Sequence, residues 1–173
     1  KLSFGVGIML LYNKAFDINH TILRMSSWLL NSSEPLISLE GIRIFDFLIA
    51  FPEYISKLSL GKELVKERNK FKRFSNPYNA FDPQSLFQQM EGVQKSAICS
   101  LVTASVLVEI NNELYEIKKD KLYAIGFTKT NLFDSINEDV ISFISNNLET
   151  LPVTGITGLK AASKLMSFKY DRI

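Results

Sequence analysis

The chain has 173 residues, enough for one domain or for one domain with a helical appendage. Apolar residues make up 46% and charged residues 22%, a balance that excludes an intrinsically disordered chain, and a net charge of +2 gives no general preference for polyanions. A single cysteine, Cys99, excludes an internal disulfide and a cysteine-rich zinc site, and fits a reducing, cytoplasmic setting.

The apolar stretch Phe4–Tyr12, "FGVGIMLLY", is shorter than the roughly 20 residues a membrane helix needs and has no small-x-small cleavage pattern, so neither a span nor a signal peptide is expected. Gly5 and Gly7 form only a GxG fragment, without the third glycine of a phosphate-binding turn. Asp17 is placed to cap a helix that carries Ile18, Ile22, Met25 and Leu29 on one face, flanked by Leu23 and Leu30 and stopped by Asn31–Pro35. Next comes Ser38–Ile55, "SLEGIRIFDFLIAFPEYI". Ile42, Phe45, Leu48 and Ile49 share one helical face, and Ile44, Phe47 and Phe51 cover most of the rest. A helix apolar nearly all round belongs in a core. Arg43 and Asp46 are spaced to meet on its one polar stripe, and charges so placed argue against a membrane span.

Gly61–Phe74 is the basic part of the chain, +4 from six cations against Glu63 and Glu67. It reads either as a solvated amphipathic helix with Leu64, Phe71 and Phe74 inward, or as a surface that meets nucleic-acid phosphates non-specifically through Lys66, Arg68, Lys70, Lys72 and Arg73. After a turn-rich connector, Asp82 and Pro83 supply an N-cap and a first helical residue. Leu86, Phe87, Met90, Val93, Ala97, Ile98, Leu101 and Val102 then recur at helical spacing to about Ala104, with Gly92 expected to divide the run in two. Leu107–Ile117 changes period and predicts two short strands around Asn111-Asn112. Ser135-x-x-Glu138 has the form of a capping box, followed by Ile136, Val140, Ile141, Ile144 and Leu148 on one face and closed by Pro152. The closing stretch predicts a short helix with Leu159, Ala162, Leu165 and Met166.

The order of elements predicts a mainly α (α+β) chain: a winged-helix-like helical domain with a small β-hairpin over residues 1–122, and a C-terminal helical extension, 123–173, packed on it. Leu39–Phe51 would be its first helix, Gln84–Met90 and Val93–Ala104 its second and third, and Leu107–Ile117 the wing. That third helix has Lys95 as its one cation and the wing carries Glu109, Glu113 and Glu116, which suits protein binding better than DNA. A winged-helix DNA-binding regulator is the alternative reading.

No chemistry is signalled. His20 is the only histidine and sits in the first turns of a helix with no nucleophile marked beside it. Cys99 is expected as a packed thiol, and Asp134 and Glu138 as acids favoured by a helix start. There is no HExxH, no P-loop and no carboxylate cluster at metal spacing, so no catalytic residue, metal or cofactor is expected.

Four stretches resemble the middle components of ABC-three-component systems, including those of Lamassu-type anti-phage defence. "LLYNKAFDINHTILRM" (10–25) resembles the opening block of that family and "IRIFDFLIAFPEYI" (42–55) its Arg/Asp-bearing helix. "DPQSLFQQMEGVQKSAICSLVTASVL" (82–107) resembles its PxxLFxxMExIQ block, and "LPVTGITGLKAASKLMSFKYD" (151–171) its closing LPLxGxxGLK block. They lie in order and span nearly the whole chain. Lys1–Ile8 precedes the usual start, which makes Met9 an alternative initiator, and Ala161–Lys164 replaces an Arg-Thr-Gly-like run.

The resemblance implies a small non-catalytic adaptor without cofactors. Its partners would be an SMC-like ABC ATPase and an effector, commonly a nuclease, restrained until foreign DNA is sensed, with non-specific DNA contact inside the complex and no membrane. On that reading leftover apolar surface is available to partner chains, with Phe47, Phe51, Tyr54, Leu159, Leu165 and Met166 as the expected interface.

Overall fold

A computed structural model describes residues 13–74, 81–128 and 136–166. Helix α1 (Ile18–Asn31) starts where the sequence places it: the Asp17 side chain accepts from the His20 N–H at 3.0 Å. Its inward face carries Met25, Trp28, Leu29 and Leu30. A three-residue strand, β1 (Leu36–Ser38), leads directly into α2 (Leu39–Ala50), whose N-cap Ser38 Oγ accepts from the Gly41 N–H at 2.9 Å. Every residue of α2 from Gly41 to Ile49 is buried, as an all-round apolar helix requires. Pro52 opens a 3-10 turn (Pro52–Lys57), since it lacks the N–H that would continue the α-helix.

The basic segment is an irregular helical stretch. A 3-10 turn (Lys62–Leu64), a short α3 (Val65–Asn69) and a second 3-10 turn (Lys70–Phe74) follow one another. Helix α4 (Pro83–Thr103) has Asp82 as N-cap, accepting from the Ser85 N–H at 2.8 Å. It runs unbroken through Gly92, so the expected second and third helices are one. Glycine in a helix interior costs only about 1 kcal/mol, which the buried Leu86, Phe87, Met90, Ala97, Ile98 and Leu101 on either side outweigh.

The hairpin forms from β2 (Leu107–Asn111) and β3 (Leu114–Ile117), with its turn at Asn112-Glu113, one residue later than the sequence suggests. The Asn111 side-chain oxygen accepts from the Glu113 N–H at 3.1 Å and shapes that turn. The sheet has a third strand that sequence reasoning missed. Its order is β1-β3-β2, antiparallel throughout, with Ile37 opposite Tyr115 and Leu107 opposite Ile117.

Short helices α5 (Lys119–Ala124), α6 (Glu138–Asn147) and α7 (Leu159–Ser163) complete the described chain. Helix α6 is capped by Asn137, whose side chain accepts from the Asp139 N–H at 2.8 Å, in place of the expected Ser135 box; Ser135 and Asp134 lie outside the described residues. The secondary structure is thus mainly α with a small antiparallel sheet, as expected.

The core is organised around α2. Trp28 meets Phe45 with ring centroids 5.0 Å apart, and Phe47 touches the rings of Phe51, Tyr54 and Phe87 at 5.3, 5.2 and 5.7 Å. Phe71 of the basic segment packs edge-on against Phe143 of α6 at 5.2 Å. Val140, Ile144, Leu148 and Leu159, from beyond residue 122, share this one cluster with α2.

Candidate interaction surfaces

The polar residues set into the apolar helices form a buried network. The Arg24 Nε of α1 donates to Asp46 Oδ1 of α2 at 2.7 Å, and its remaining nitrogens reach Asp46 Oδ2, Thr21 Oγ1 and the carbonyls of Lys14 and Ala15. Gln94 of α4 donates from Nε2 to Asp46 Oδ2 at 3.0 Å and to the Arg43 carbonyl at 3.1 Å. Arg43 in turn donates to Gln94 Oε1 at 3.0 Å, lies 3.7 Å from Glu91 and stacks over Phe87 at 4.6 Å. The expected Arg43–Asp46 pair therefore does not form. Asp46 is satisfied from two other helices, which point donors straight at it, and Arg43 turns toward α4. Burial pulls the Arg43 guanidinium below its ordinary pKa, opposed by the charges of Glu91 and Glu40.

Gln94 was not singled out in the sequence. Its signal was there: a polar side chain in register with Met90, Ala97, Ile98 and Leu101, on the face that proves to be buried. A second internal tie joins the closing block to α2. Lys160 Nζ, buried, lies 2.7 Å from Glu40 Oε1, and backbone bonds from Leu159 to Pro152 and from Ser59 to Ala162 fix α7 beside it.

The basic segment divides into anchored and open cations. Arg68 donates to the Leu58 carbonyl, Lys70 pairs with Glu67 at 2.7 Å, and Arg73 pairs with Asp139 while covering the Phe74 ring. Phe71 points inward and is buried, and Leu64 and Phe74 are half-buried, as the amphipathic reading expects. Among the described residues Lys62, Lys66 and Lys72 are exposed without such a contact. A polar recess of about 400 Å³ between this segment and α6 is lined by Glu67, Lys70, Arg73, Asp139, Asn146 and Asn147. On α4, Lys95 pairs with Glu91, so the one cation of the expected reading helix is engaged within the chain.

The residues expected at a partner interface are covered by the chain itself. Phe47, Phe51, Tyr54, Leu159 and Leu165 are all inside this chain's own core, and Met166 is half-buried against it. Periodicity shows that a helix is apolar all round; it does not show that α4, α6 and α7 are sufficient to cover it. Among the described residues the exposed large apolar side chains are instead Ile18, Leu36, Phe81, Val108, Ile110, Tyr123, Ile125 and Ile156. Leu36 and Val108 lie in one row across the sheet, each opposite Glu116 of the central strand, on the face away from Ile37 and Tyr115. Leu114, half-buried, continues that outer face, and the exposed Ile110 lies at the register irregularity between Glu109 and Asn111. Cys99, expected as a packed thiol, is exposed on α4. His20 lies at the start of α1, beside a recess that it shares with Lys14 and Asn137. Among the described residues no three of His, Cys, Asp and Glu are grouped to hold a metal ion, and no helix is long and apolar enough to cross a membrane.

Arg24, Asp46, Arg43, Gln94 and Lys160 thus tie together the four separated stretches on which the family resemblance rests. Comparison with known families agrees: the description "ABC-three component (ABC-3C) system Middle Component 5" matches residues 10–171. The chain belongs to this family. The match of this ABC-3C middle component takes in all four stretches, the basic segment and the hairpin in one run. No curated protein and no solved structure matches the chain.

Proposed function

We propose that this middle component is a non-catalytic accessory subunit that bridges an SMC-like ABC ATPase and an effector in a Lamassu-like anti-phage system, and that it restrains a nuclease-type effector until foreign DNA is sensed. Membership of the Middle Component 5 family supports a place in a multi-subunit ABC system. The observation that carries the docking role is the separation of inside from outside. Arg24, Arg43, Asp46 and Gln94 of α1, α2 and α4 are turned inward and bonded to one another, while Val108, Ile110, Tyr123 and Ile125 stand 39–54% exposed on the hairpin and the helix after it. A chain able to bury Trp28 and nine consecutive residues of α2 has enough core to cover such side chains, and leaves them out where another surface takes them in.

The deciding experiment is co-expression with the ATPase and effector chains encoded beside it. The expected result is co-elution of all three in size-exclusion chromatography, with an effector that cleaves DNA less when the middle component is present than when it is left out. A middle component that elutes as a monomer and ignores the neighbouring ATPase overturns the reading.

A further inference from the structure

Among the described residues strand β2 is an edge strand, and the register shows which of its backbone groups are unused within the sheet. The Lys118 N–H donates to the Val106 carbonyl, and Val108 stands opposite Glu116. Hydrogen-bonded pairs in an antiparallel ladder alternate, so Val108 exchanges its bonds with β3 while the N–H and C=O of Leu107 and Glu109 point away from the sheet. Leu107 is buried, which leaves the groups of Glu109 as the open ones. Edge strands that must stay single usually carry a lysine or a proline. Here β2 reads "LVEIN", with neither, and its short length, the charge of Glu109 and an irregularity between Glu109 and Asn111 are what set it apart from a plain edge.

We propose that β2 accepts an added strand from a partner chain, an extended segment that alternates apolar and basic residues. The proposal rests on the adaptor reading above for where that chain comes from. The alternation follows from the two faces of the strand. Val108 is 39% exposed and Ile110 54%, and Val108 continues the apolar row begun by Leu36 on the outer face, so an added strand finds apolar neighbours there. Glu109 points to the other face, with Glu113 exposed at the turn, and Glu116 is the one hairpin acid already paired, with Lys118 at 2.6 Å. Main-chain bonds to Glu109 would supply affinity and the side-chain alternation would supply choice. A second copy of this chain is a poor occupant: two β2 strands paired about their exposed half set Glu109 against itself, and directly opposed like charges destabilise a sheet.

The test uses end-blocked peptides that alternate isoleucine with lysine, or isoleucine with glutamate, read by amide NMR of the full chain and by sedimentation. The expected result is a shift and slowed exchange at the Glu109 amide, with the lysine peptide bound about tenfold more tightly than the glutamate peptide. Glu109→Pro should abolish binding while leaving the hairpin folded, because the N–H it removes bonds nothing within the sheet. The double variant Glu109→Lys, Glu113→Lys should invert the preference between the peptides, and decides the matter if the proline variant fails to fold. Equal binding of both peptides, shifts centred elsewhere, or a dimer that Glu109→Pro dissociates would each overturn the proposal. Co-elution with the ATPase that survives Glu109→Pro removes the strand-addition site and leaves the adaptor reading intact. Absence of co-elution in the unaltered chain removes the adaptor reading instead.

Discussion

Arg24 and Asp46, from two different helices, meet at 2.7 Å with side chains only 7% and 0% exposed. Gln94 closes the arrangement from a third helix at 3.0 Å. Removing the carboxylate alone strands a buried guanidinium and one amide donor. Asp46→Ala is therefore expected to lower unfolding stability by about 3–5 kcal/mol, measured by urea denaturation. The paired replacement Arg24→Met with Asp46→Leu should lose much less, since no unpaired charge remains.

Two glycines give opposite signs. Gly92 is inside α4 with nothing within 4 Å of an added Cβ, so Gly92→Ala should raise stability by about 0.8–1 kcal/mol. At Gly158 the same methyl would overlap the Thr154 carbonyl and come within 2.8 Å of the Pro152 oxygen. Both are backbone atoms that cannot swing aside, and Gly158→Ala should cost about 1–3 kcal/mol. Thermal melts of the two single variants check both.

The cations of the basic segment should separate by role. Lys66→Gln with Lys72→Gln is expected to leave the melting temperature unchanged and to flatten the salt dependence of DNA binding by the assembled complex, by roughly 0.9 in slope for each phosphate that is no longer neutralised. Arg68→Gln should act in reverse, loosening the segment where it is held to the Leu58 carbonyl. Fluorescence anisotropy with a labelled duplex across a salt series reads the slope. Unchanged affinity in the lysine pair would assign the segment to solvation.

Glu91 gives a pH dependence. The hydrogen bond from Lys95, and then the charge of Arg43, hold its carboxyl below the ordinary range. A carboxyl depressed in the folded state contributes stability above its unfolded pKa and loses it as pH falls through the folded value. Denaturation midpoints from neutral to acid pH should thus converge between the wild type and Glu91→Gln, and the gap should be small throughout because Glu91 is 42% exposed.

Caps and apolar periods were the legible part of the sequence. Asp17, Asp82 and Pro83 start helices where local chemistry says they must, and the largely apolar Ser38–Ile55 stretch contains the central helix. What local reading missed is decided between elements. Three residues from Leu36 to Ser38 have too short a period to register, and become a strand only because β3 comes to them. Asp46 takes Arg24 rather than its helix neighbour Arg43 because α1 and α4 bring better-aimed donors. Phe47 and Tyr54 show the same limit: hydrophobicity marks them for burial without saying whose surface buries them, and this chain buries them itself. The exposed Val108 and Ile110 lie in a strand too short for alternation to reveal a free edge.

The strand order has a consequence for synthesis. Leu36–Ser38 pairs only with Leu114–Ile117, which leaves the ribosome long afterwards, and Ser38 is also the residue that starts α2. The most oily helix of the molecule thus has an unfixed head until the hairpin arrives, and part of its apolar surface stays open until Val140, Ile144, Leu148 and Leu159 follow. Truncation before residue 114 should give nascent chains that bind chaperones and fail to compact, and release is expected only once the chain extends past Leu165.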